Sequence, residues 1–195
     1  MNIKVLALLG SPRRGGNTDT LAEELLSGIS RDGGVDIKSF HLSEMKITPC
    51  NGCARCEETG ICDVRDDMQI IYSHLENSQI IVVSSPVYFY GISAQCKAMI
   101  DRTHVYWARK YVLGRPWSGD DDMIRQGFFI SAAGTNNPEL FIGGELTIKY
   151  FFDCLDIVYQ GSVTVKGVQD FGKIKEDTAA LKEAYNKGVE LMNPY

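Results

Sequence analysis

The segment that most constrains this chain is a glycine-rich turn between an apolar run and an amphipathic one. The apolar run covers Ile3 to Leu9, the turn covers Gly10 to Thr18, and the amphipathic segment starts near Thr18. A turn of this kind leaves backbone N–H groups and the positive end of a helix dipole facing one point. The sequence therefore predicts an anion-binding cradle after a buried strand. The simpler alternative is a glycine-rich turn that only caps the helix.

The spacing of the glycines separates this turn from two familiar phosphate loops. A dinucleotide fingerprint needs glycine at its third position, where this chain has Pro12. A nucleoside-triphosphate loop needs Lys and then Ser or Thr after its second glycine, where this chain has Gly16 and Asn17. The remaining interpretation is a cradle for a phosphate monoester. Its expected side-chain donors and charges come from Ser11, Asn17, Thr18 and either Arg13 or Arg14.

Length and charge narrow the class of protein. The chain has 195 residues, enough for one α/β domain, and we expect residues 1–195 to form a single domain. The net charge of −5, with no Lys/Arg-rich cluster, argues against a nucleic-acid partner. The apolar run Val5 to Leu9 is too short for a signal peptide, and no stretch is long enough to span a membrane. These features are typical of a cytoplasmic protein.

Apolar runs alternate with amphipathic segments along the rest of the chain. Strands are predicted at Ile3–Leu9, Val35–Leu42, Ile80–Ser85, Gly127–Ala133 and about Ile157–Val165, the second of them nearer an edge. Helices are predicted between and after these strands. One is capped by Asp66 or Asp67, and the next is capped by Ser93. The last two helices are predicted at Leu140–Leu155 and Asp177–Met192. This order predicts an α/β fold with a flavodoxin-like, doubly wound, five-stranded parallel sheet of order 2-1-3-4-5 in three αβα layers.

Two connections are too long for a minimal fold of this type. Ser43 to Arg65 holds four of the six cysteines. His104 to Gln126 holds Trp107, Trp117 and the acidic run Asp120–Asp122. Long loops in compact domains are usually functional or disordered, and the aromatic content of the second favours a lid or a subunit contact.

The loops after the third and fourth strands are expected to complete the site. In doubly wound sheets, ligands bind at the carboxyl ends of strands, where the strand order reverses. Ser85 to Gly91 carries three aromatic residues on which a flat ring can stack, and Ala132 to Asn137 is built of small residues that permit close approach. A monophosphate cradle beside a slot for a flat ring is typical of an FMN site. Ordinary packing of Tyr88 to Tyr90 under a neighbouring loop is the alternative.

Over nearly its whole length the chain resembles the NAD(P)H-dependent FMN reductase-like proteins, which have a flavodoxin-like fold. The resemblance rests on Gly10-Ser11-Pro12-Arg13 with Gly16-Asn17-Thr18, on Ser85 to Gly91, and on the helix from Lys97 to Arg102. Gly16 stands where the family often has Ser, which removes one hydroxyl contact. The candidate FMN-binding residues are Ser11, Arg13, Gly16, Asn17, Thr18, Pro86, Val87, Tyr88, Phe89, Tyr90, Gly91, Ala133 and Gly134.

The resemblance also implies an activity. Tightly bound FMN would take electrons from NAD(P)H and pass them to a quinone, another small acceptor or a ferredoxin-type partner, in a homodimer or homotetramer. The flavin carries this chemistry, so no residue is assigned a catalytic role. Two other classes stay open: an electron-transfer protein that does not use nicotinamide, and a cofactor-free binding module.

The cysteines Cys50, Cys53, Cys56 and Cys62 have the spacing C-x2-C-x2-C-x5-C. Thiolates so spaced can reach adjacent corners of a [4Fe–4S] cube, although ferredoxins place three residues before the last cysteine. The segment resembles the compact motif of iron–sulfur flavoproteins, a branch of the same family. Unliganded thiols and a four-thiolate zinc site are the alternatives. Cys96 and Cys154 lie in apolar helical patterns and are expected to be core residues.

Overall fold

A computed structural model describes residues 2–116 and 124–195 of the chain. Its strands are β1 (Ile3–Leu9), β2 (Val35–His41), β3 (Ile80–Pro86), β4 (Gln126–Ala132) and β5 (Val158–Val165). Its α-helices are α1 (Asn17–Ile29), α2 (Arg55–Thr59), α3 (Met68–Asn77), α4 (Ala94–Arg102), α5 (His104–Trp107), α6 (Ile142–Cys154) and α7 (Thr178–Leu191). In these two ranges no helix is long and apolar enough to cross a membrane.

The five strands form one parallel sheet in the order β2-β1-β3-β4-β5, which confirms the predicted flavodoxin-like topology. The strand bounds differ from the predicted ones by one residue at most at each end. Successive side chains of a strand point to opposite faces of the sheet, and both faces of a parallel sheet are covered by helices. The central strands are therefore apolar on both faces. Leu6 and Leu8 of β1 belong to one core, whereas Val5 and Ala7 belong to the other. Helices therefore cover both faces of the sheet.

The structure corrects the expectation that the whole stretch from His104 to Gln126 is a loop. The chain continues from α4 into α5 and then into a π-helical turn over Ala108–Val112. Val105, Tyr106 and Ala108 are buried in the same core as α3 and α6, so their apolar spacing is helical. The predicted roles for Trp117 and Asp120–Asp122 lie outside the described residues.

The layer formed by α1 and α7 depends on two glycines. A Cβ atom on Gly28 would lie 2.1 Å from the carbonyl oxygen of Tyr185, and one on Gly188 would lie 2.0 Å from that of Leu25. Each backbone therefore approaches the other more closely than any side chain permits. This close approach packs the C-terminal half of α1 directly against α7.

We expect Gly28→Ala to lower the free energy of unfolding by about 1–3 kcal/mol, because the added methyl group overlaps a backbone oxygen that cannot move alone. Alanine favours a helix over glycine by roughly 1 kcal/mol, so a stabilised variant would contradict this reading of the interface. Urea denaturation measures the difference. Ser27→Ala, on the exposed side of α1, is the control and should stay within about 0.5 kcal/mol of the parent.

Candidate functional site

The glycine-rich turn has the geometry of an anion cradle. α1 starts at Asn17, and its N-cap, Gly16, makes no side-chain capping bond. Gly16 donates its N–H to the carbonyl oxygen of Arg13 (3.0 Å), and a Cβ on Gly16 would lie 2.9 Å from that oxygen. The N–H groups of the first helical turn have no partner within the helix and point out of its end. The turn therefore presents backbone donors at one point.

Ser11 shapes this turn from within. Its buried hydroxyl accepts a hydrogen bond from the Arg13 N–H (3.1 Å) and donates to the Arg13 carbonyl oxygen (3.0 Å). Of the two arginines, Arg13 lines the cavity beside the turn, while Arg14 forms an exposed ion pair with Glu44 at 2.8 Å. Arg13 is therefore the cation available to a bound anion.

The side-chain amide of Asn17 makes hydrogen bonds to the loop after β5 and does not face the cavity with a free donor. Its amide nitrogen donates to the carbonyl oxygens of Val168 (2.8 Å) and Asp170 (2.9 Å), and its amide oxygen accepts from the Ile174 N–H (3.2 Å). Both amide hydrogens are thus engaged, in contrast to the expected contact with phosphate. The residue holds the loop after β5 across the end of the sheet.

The loop after β3 is a tight hairpin with a strained tip. Tyr88 and Gly91 exchange two backbone hydrogen bonds of 2.9 Å, and the two residues between them, Phe89 and Tyr90, have φ values of 49° and 62°. Two consecutive left-handed residues form a turn in which glycine or asparagine is preferred. The Phe89 side chain is fully exposed at the tip. Tyr90 is held by the Asn137 amide, which donates to its hydroxyl at 3.0 Å.

The loop after β4 is fastened to the loop after β5. Ala133 donates to the Val165 carbonyl (2.8 Å) and accepts from the Val168 N–H (3.0 Å). A Cβ on Gly134 would lie 1.9 Å from the side-chain oxygen of Gln169, so glycine permits that amide to reach the site. These contacts place two loops side by side at the carboxyl edge of the sheet.

The four loops together line one cavity of about 140 Å³. Most of the predicted FMN-binding residues line it: Ser11, Arg13, Gly16, Asn17, Thr18, Pro86, Val87, Tyr88 and Gly134. Phe89, Tyr90, Gly91 and Ala133 are not among its lining residues; they build the loops around it. Ala132 was expected only as part of the loop after β4, and the sequence reasoning missed Val168, Gln169 and Phe171. The last three follow the fifth strand, whose carboxyl end meets the same edge, and this could have identified them.

A buried carboxylate lies beneath the cradle. Asp19 is fully buried, and its Oδ2 accepts a hydrogen bond from the Gly15 N–H at 2.9 Å. The same oxygen lies 3.7 Å from His41 Nδ1, while Asp19 Oδ1 and His41 Nδ1 have no hydrogen-bond partner within the described ranges. Burial raises the pKa of Asp19, because the charged form is less well solvated there than in water.

The four cysteines of the spaced motif line a second, smaller cavity. This cavity, of about 60 Å³, is also lined by Arg102, His104 and Glu57. Cys50 and Cys53 are exposed, Cys62 is partly buried and Cys56 is buried, where burial raises the pKa of its thiol. Gly52 and Ala54, with φ values of 68° and 59°, turn the backbone tightly between the thiols.

The arrangement of these thiols bears on the kind of metal centre they could form. Within residues 2–116 and 124–195, no group of three or more His, Cys, Asp or Glu side chains could hold a single metal ion as it stands. A [4Fe–4S] cluster makes a different demand, because each thiolate binds a different iron and the sulfur atoms need not converge. Four thiols around one cavity therefore fit a cluster better than a zinc ion. Cys96 and Cys154 are buried elsewhere, as expected of core residues.

The fold and the first cavity define a doubly wound α/β protein with a glycine-rich turn at its topological switch point, beside an aromatic loop. The profile of the NADPH-dependent FMN reductase family matches residues 3–137, and the chain belongs to this family of flavin oxidoreductases.

Two iron–sulfur flavoproteins are similar to this chain in sequence. The chain is 39% identical over 101 residues to an iron–sulfur flavoprotein of Methanocaldococcus jannaschii, which covers 52% of this chain and 52% of that protein. The chain thus spans about half the length of this relative. It is 27% identical over 185 residues to an iron–sulfur flavoprotein of Methanosarcina thermophila, covering 92% and 88% of the two chains.

The fold agrees with a solved structure as well. An NAD(P)H:quinone oxidoreductase from Methanothermobacter marburgensis superposes with a TM-score of 0.68, covering 98% of this chain and 97% of that one. At 16% identity, this likeness shows the shared fold.

We expect Asp19→Asn to stabilise the protein at neutral pH by an amount on the order of 1 kcal/mol. A carboxyl with a raised pKa binds its proton more tightly when folded. The ordinary pKa of an Asp carboxyl is 3.8, and that of Asp19 in the folded protein is higher. The parent therefore loses stability as the pH rises from below 3.8 through the folded pKa. The amide side chain of the variant does not titrate, so the variant does not lose this stability. Urea denaturation from pH 4 to pH 7 should show a difference that grows with pH and then levels off.

The control is Glu183→Gln, which removes an exposed carboxylate from α7 that is not among the charges acting on Asp19. It should leave the pH dependence of the parent unchanged. A constant difference between Asp19→Asn and the parent at every pH would show that the carboxyl is not destabilised by its burial.

Proposed function

We propose that this chain is an FMN-dependent oxidoreductase that passes electrons from NAD(P)H to a quinone or another small acceptor. The observation that carries the proposal is the convergence of four loops on one cavity at the carboxyl edge of the sheet. Membership of the FMN reductase family supports it independently. The cofactor-free alternative explains neither the cradle nor the aromatic loop beside it.

The cradle suits the phosphate end of FMN. It combines the N-terminus of α1, the Arg13 side chain and the buried Thr18 on one wall of the cavity. Pockets that enclose a whole drug-sized ligand measure roughly 300–1,000 Å³, so a cavity of about 140 Å³ would hold only part of FMN. The phosphate would be enclosed, and the ring system would lie outside, towards the half-exposed Tyr88.

The residues around the ring position bind and orient rather than react. Bound FMN would supply the hydride-accepting and electron-donating chemistry. Pro86 and Val87 shape the wall beside Tyr88, and the Val87 N–H donates to the Ala132 carbonyl oxygen at 3.0 Å. None of the described residues that line this cavity is an acid or base placed to transfer a proton to the ring. Substrate selection would therefore depend on access to the ring.

Thr18→Val tests the cradle with little change of shape. The hydroxyl is removed and the volume is kept, so we expect the FMN dissociation constant to rise about 10- to 100-fold, as for the loss of one hydrogen bond to a charged group. Riboflavin lacks the phosphate, and its affinity should not change. Quenching of flavin fluorescence on titration into apo-protein measures both constants.

Thr20→Val is the matched control, because it makes the same change two residues further along α1 and outside the cavity lining. It should bind FMN like the parent. Equal weakening of FMN and riboflavin by Thr18→Val would contradict the phosphate assignment.

A second candidate function is favoured by the cysteine cavity. Four thiols from one segment line one space, and iron–sulfur flavoproteins are among the relatives of this chain. The chain would then hold a [4Fe–4S] cluster beside its flavin and transfer electrons to or from a ferredoxin-type partner. Reduction of the flavin by NAD(P)H alone would favour the first function, and reduction only by ferredoxin would favour the second.

We expect anaerobically reconstituted protein to contain about four irons and four acid-labile sulfides per chain, together with a flavin spectrum. Cys53→Ser should lose most of the iron, because one corner of the cluster loses its thiolate. Cys154→Ser, which changes a buried cysteine outside the motif, should keep it. Protein that shows flavin bands and no iron would leave the motif cysteines as thiols of a loop.

The expectation of a homodimer or homotetramer stays a prediction. It is supported by exposed apolar side chains at Ile142, Leu146 and Tyr150, which are spaced four residues apart along α6. Phe89, at the tip of the β3 loop, is a further exposed aromatic residue. A second copy of the chain would remove these side chains from water.

A further inference from the structure

Arg102 is a buried cation at the cysteine cavity. It is the last residue of α4, its side chain is 1% exposed, and it lines the cavity together with the four cysteines of the motif. Burial of a guanidinium is unfavourable unless its donors and its charge are matched. Its partners therefore indicate what the residue does there.

The two terminal nitrogens of the Arg102 guanidinium donate hydrogen bonds to both ends of the cysteine segment. One terminal nitrogen donates to the Thr48 carbonyl oxygen (2.8 Å) and to Asp66 Oδ2 (2.7 Å). The other donates to the Val64 carbonyl oxygen at 3.1 Å. Thr48 precedes Cys50, and Val64 and Asp66 follow Cys62. One side chain thus holds both ends of the segment that carries the four thiols.

Asp66 completes this clamp from the other direction. Its Oδ2 accepts from the Thr48 N–H at 2.8 Å, and its Oδ1 accepts from the Met68 N–H at 3.1 Å, at the start of α3. The carboxylate thereby fixes the loop end to a helix and balances the charge of Arg102. The loop has a defined shape before any group enters the cavity.

One donor of Arg102 is left over. Its Nε–H is buried and has no hydrogen-bond partner among the described residues. Buried donors in folded proteins are almost always paired, so an unpaired one on the wall of a cavity points to an acceptor inside that cavity. Neither the thiols nor the nearby backbone satisfies it as the protein stands.

We propose that Arg102 is the positioning residue for an anionic iron–sulfur cluster: it holds the cysteine segment closed and offers the cluster a buried N–H donor and a positive charge. This inference rests on the second proposed function. Hydrogen bonds to cluster sulfurs and nearby charge both set the reduction potential of such a centre. Arg102 should stabilise the more negative, reduced form and so raise the potential.

The test compares Arg102→Gln and Arg102→Lys with the parent after anaerobic reconstitution with ferrous iron and sulfide. We expect Arg102→Gln to lose iron to a chelator about 10- to 100-fold faster, and its cluster midpoint potential to become more negative. Arg102→Lys keeps the charge but cannot bridge three oxygens. It should lose iron faster than the parent while its potential changes less than that of the glutamine variant.

Asp66→Asn gives a readout that a merely structural role would not produce. It removes the balancing negative charge and keeps an oxygen acceptor, so the midpoint potential should shift in the positive direction, opposite to Arg102→Gln. Arg125→Lys is the matched control: Arg125 is also buried, but it donates to the carbonyl oxygens of Leu75 and Leu155 and does not line the cavity. It should leave iron loss and potential as in the parent.

The outcomes separate the two proposals. A parent protein without iron and sulfide overturns the iron–sulfur function and the role of Arg102 with it. A parent that holds the cluster, with Arg102 variants of unchanged iron loss and potential, overturns the role of Arg102 alone. Circular dichroism shows which variants fold, and if Arg102→Gln does not, Arg102→Lys and Asp66→Asn decide the question.

Discussion

One buried serine holds the carboxyl edge of the sheet together, and both candidate sites depend on it. Ser93 donates its hydroxyl to the Gly10 carbonyl oxygen at 2.6 Å, and its N–H donates to Ser85 Oγ at 2.8 Å. The same hydroxyl accepts from the Cys96 N–H at 3.2 Å and so caps α4. The end of β1, the end of β3 and the start of α4 therefore meet at one residue. Separating them would leave several buried polar groups unpaired, which costs more than the bonds themselves contribute.

From this junction α4 carries the constraint to the cysteine cavity. Nine residues of α-helix rise about 13 Å, so the two ends of α4 are a fixed distance apart. Ser93 at one end contacts the residue that begins the glycine-rich turn, and Arg102 at the other end holds the cysteine segment. A single rigid element thus sets the position of one candidate redox site relative to the other. Such an arrangement suits electron transfer between fixed centres, because neither site has to move to meet the other.

The parts of the site that could be predicted from the sequence are those with a local signature. The glycine-rich turn, the aromatic loop and the spaced cysteines each occupy a few adjacent residues, and each has a recognisable chemistry. The role of Asn17 could not be predicted from its neighbours in the sequence. Its residue type suggested a phosphate donor, but its side-chain amide donates to carbonyl oxygens of the loop after β5. Gln169 was missed because its immediate neighbours carry no ligand-binding signature, although its place after β5 points to the same edge of the sheet. The structure places its side chain against Gly134.

The sequence by itself determined the alternation of strands and helices and the places where the chain turns, because these follow from periodicity and from glycine and proline chemistry between near neighbours. The strand order was predicted from general rules for connections in doubly wound sheets. Tertiary structure decided which polar groups face each cavity. Asn17 and its acceptor Asp170 are 153 residues apart, and Arg102 and Thr48 are 54 apart. No period in the chain relates such pairs. They meet because the parallel sheet and its crossovers bring distant loops to one edge, and because a buried donor must find whatever acceptor the folded chain places within reach.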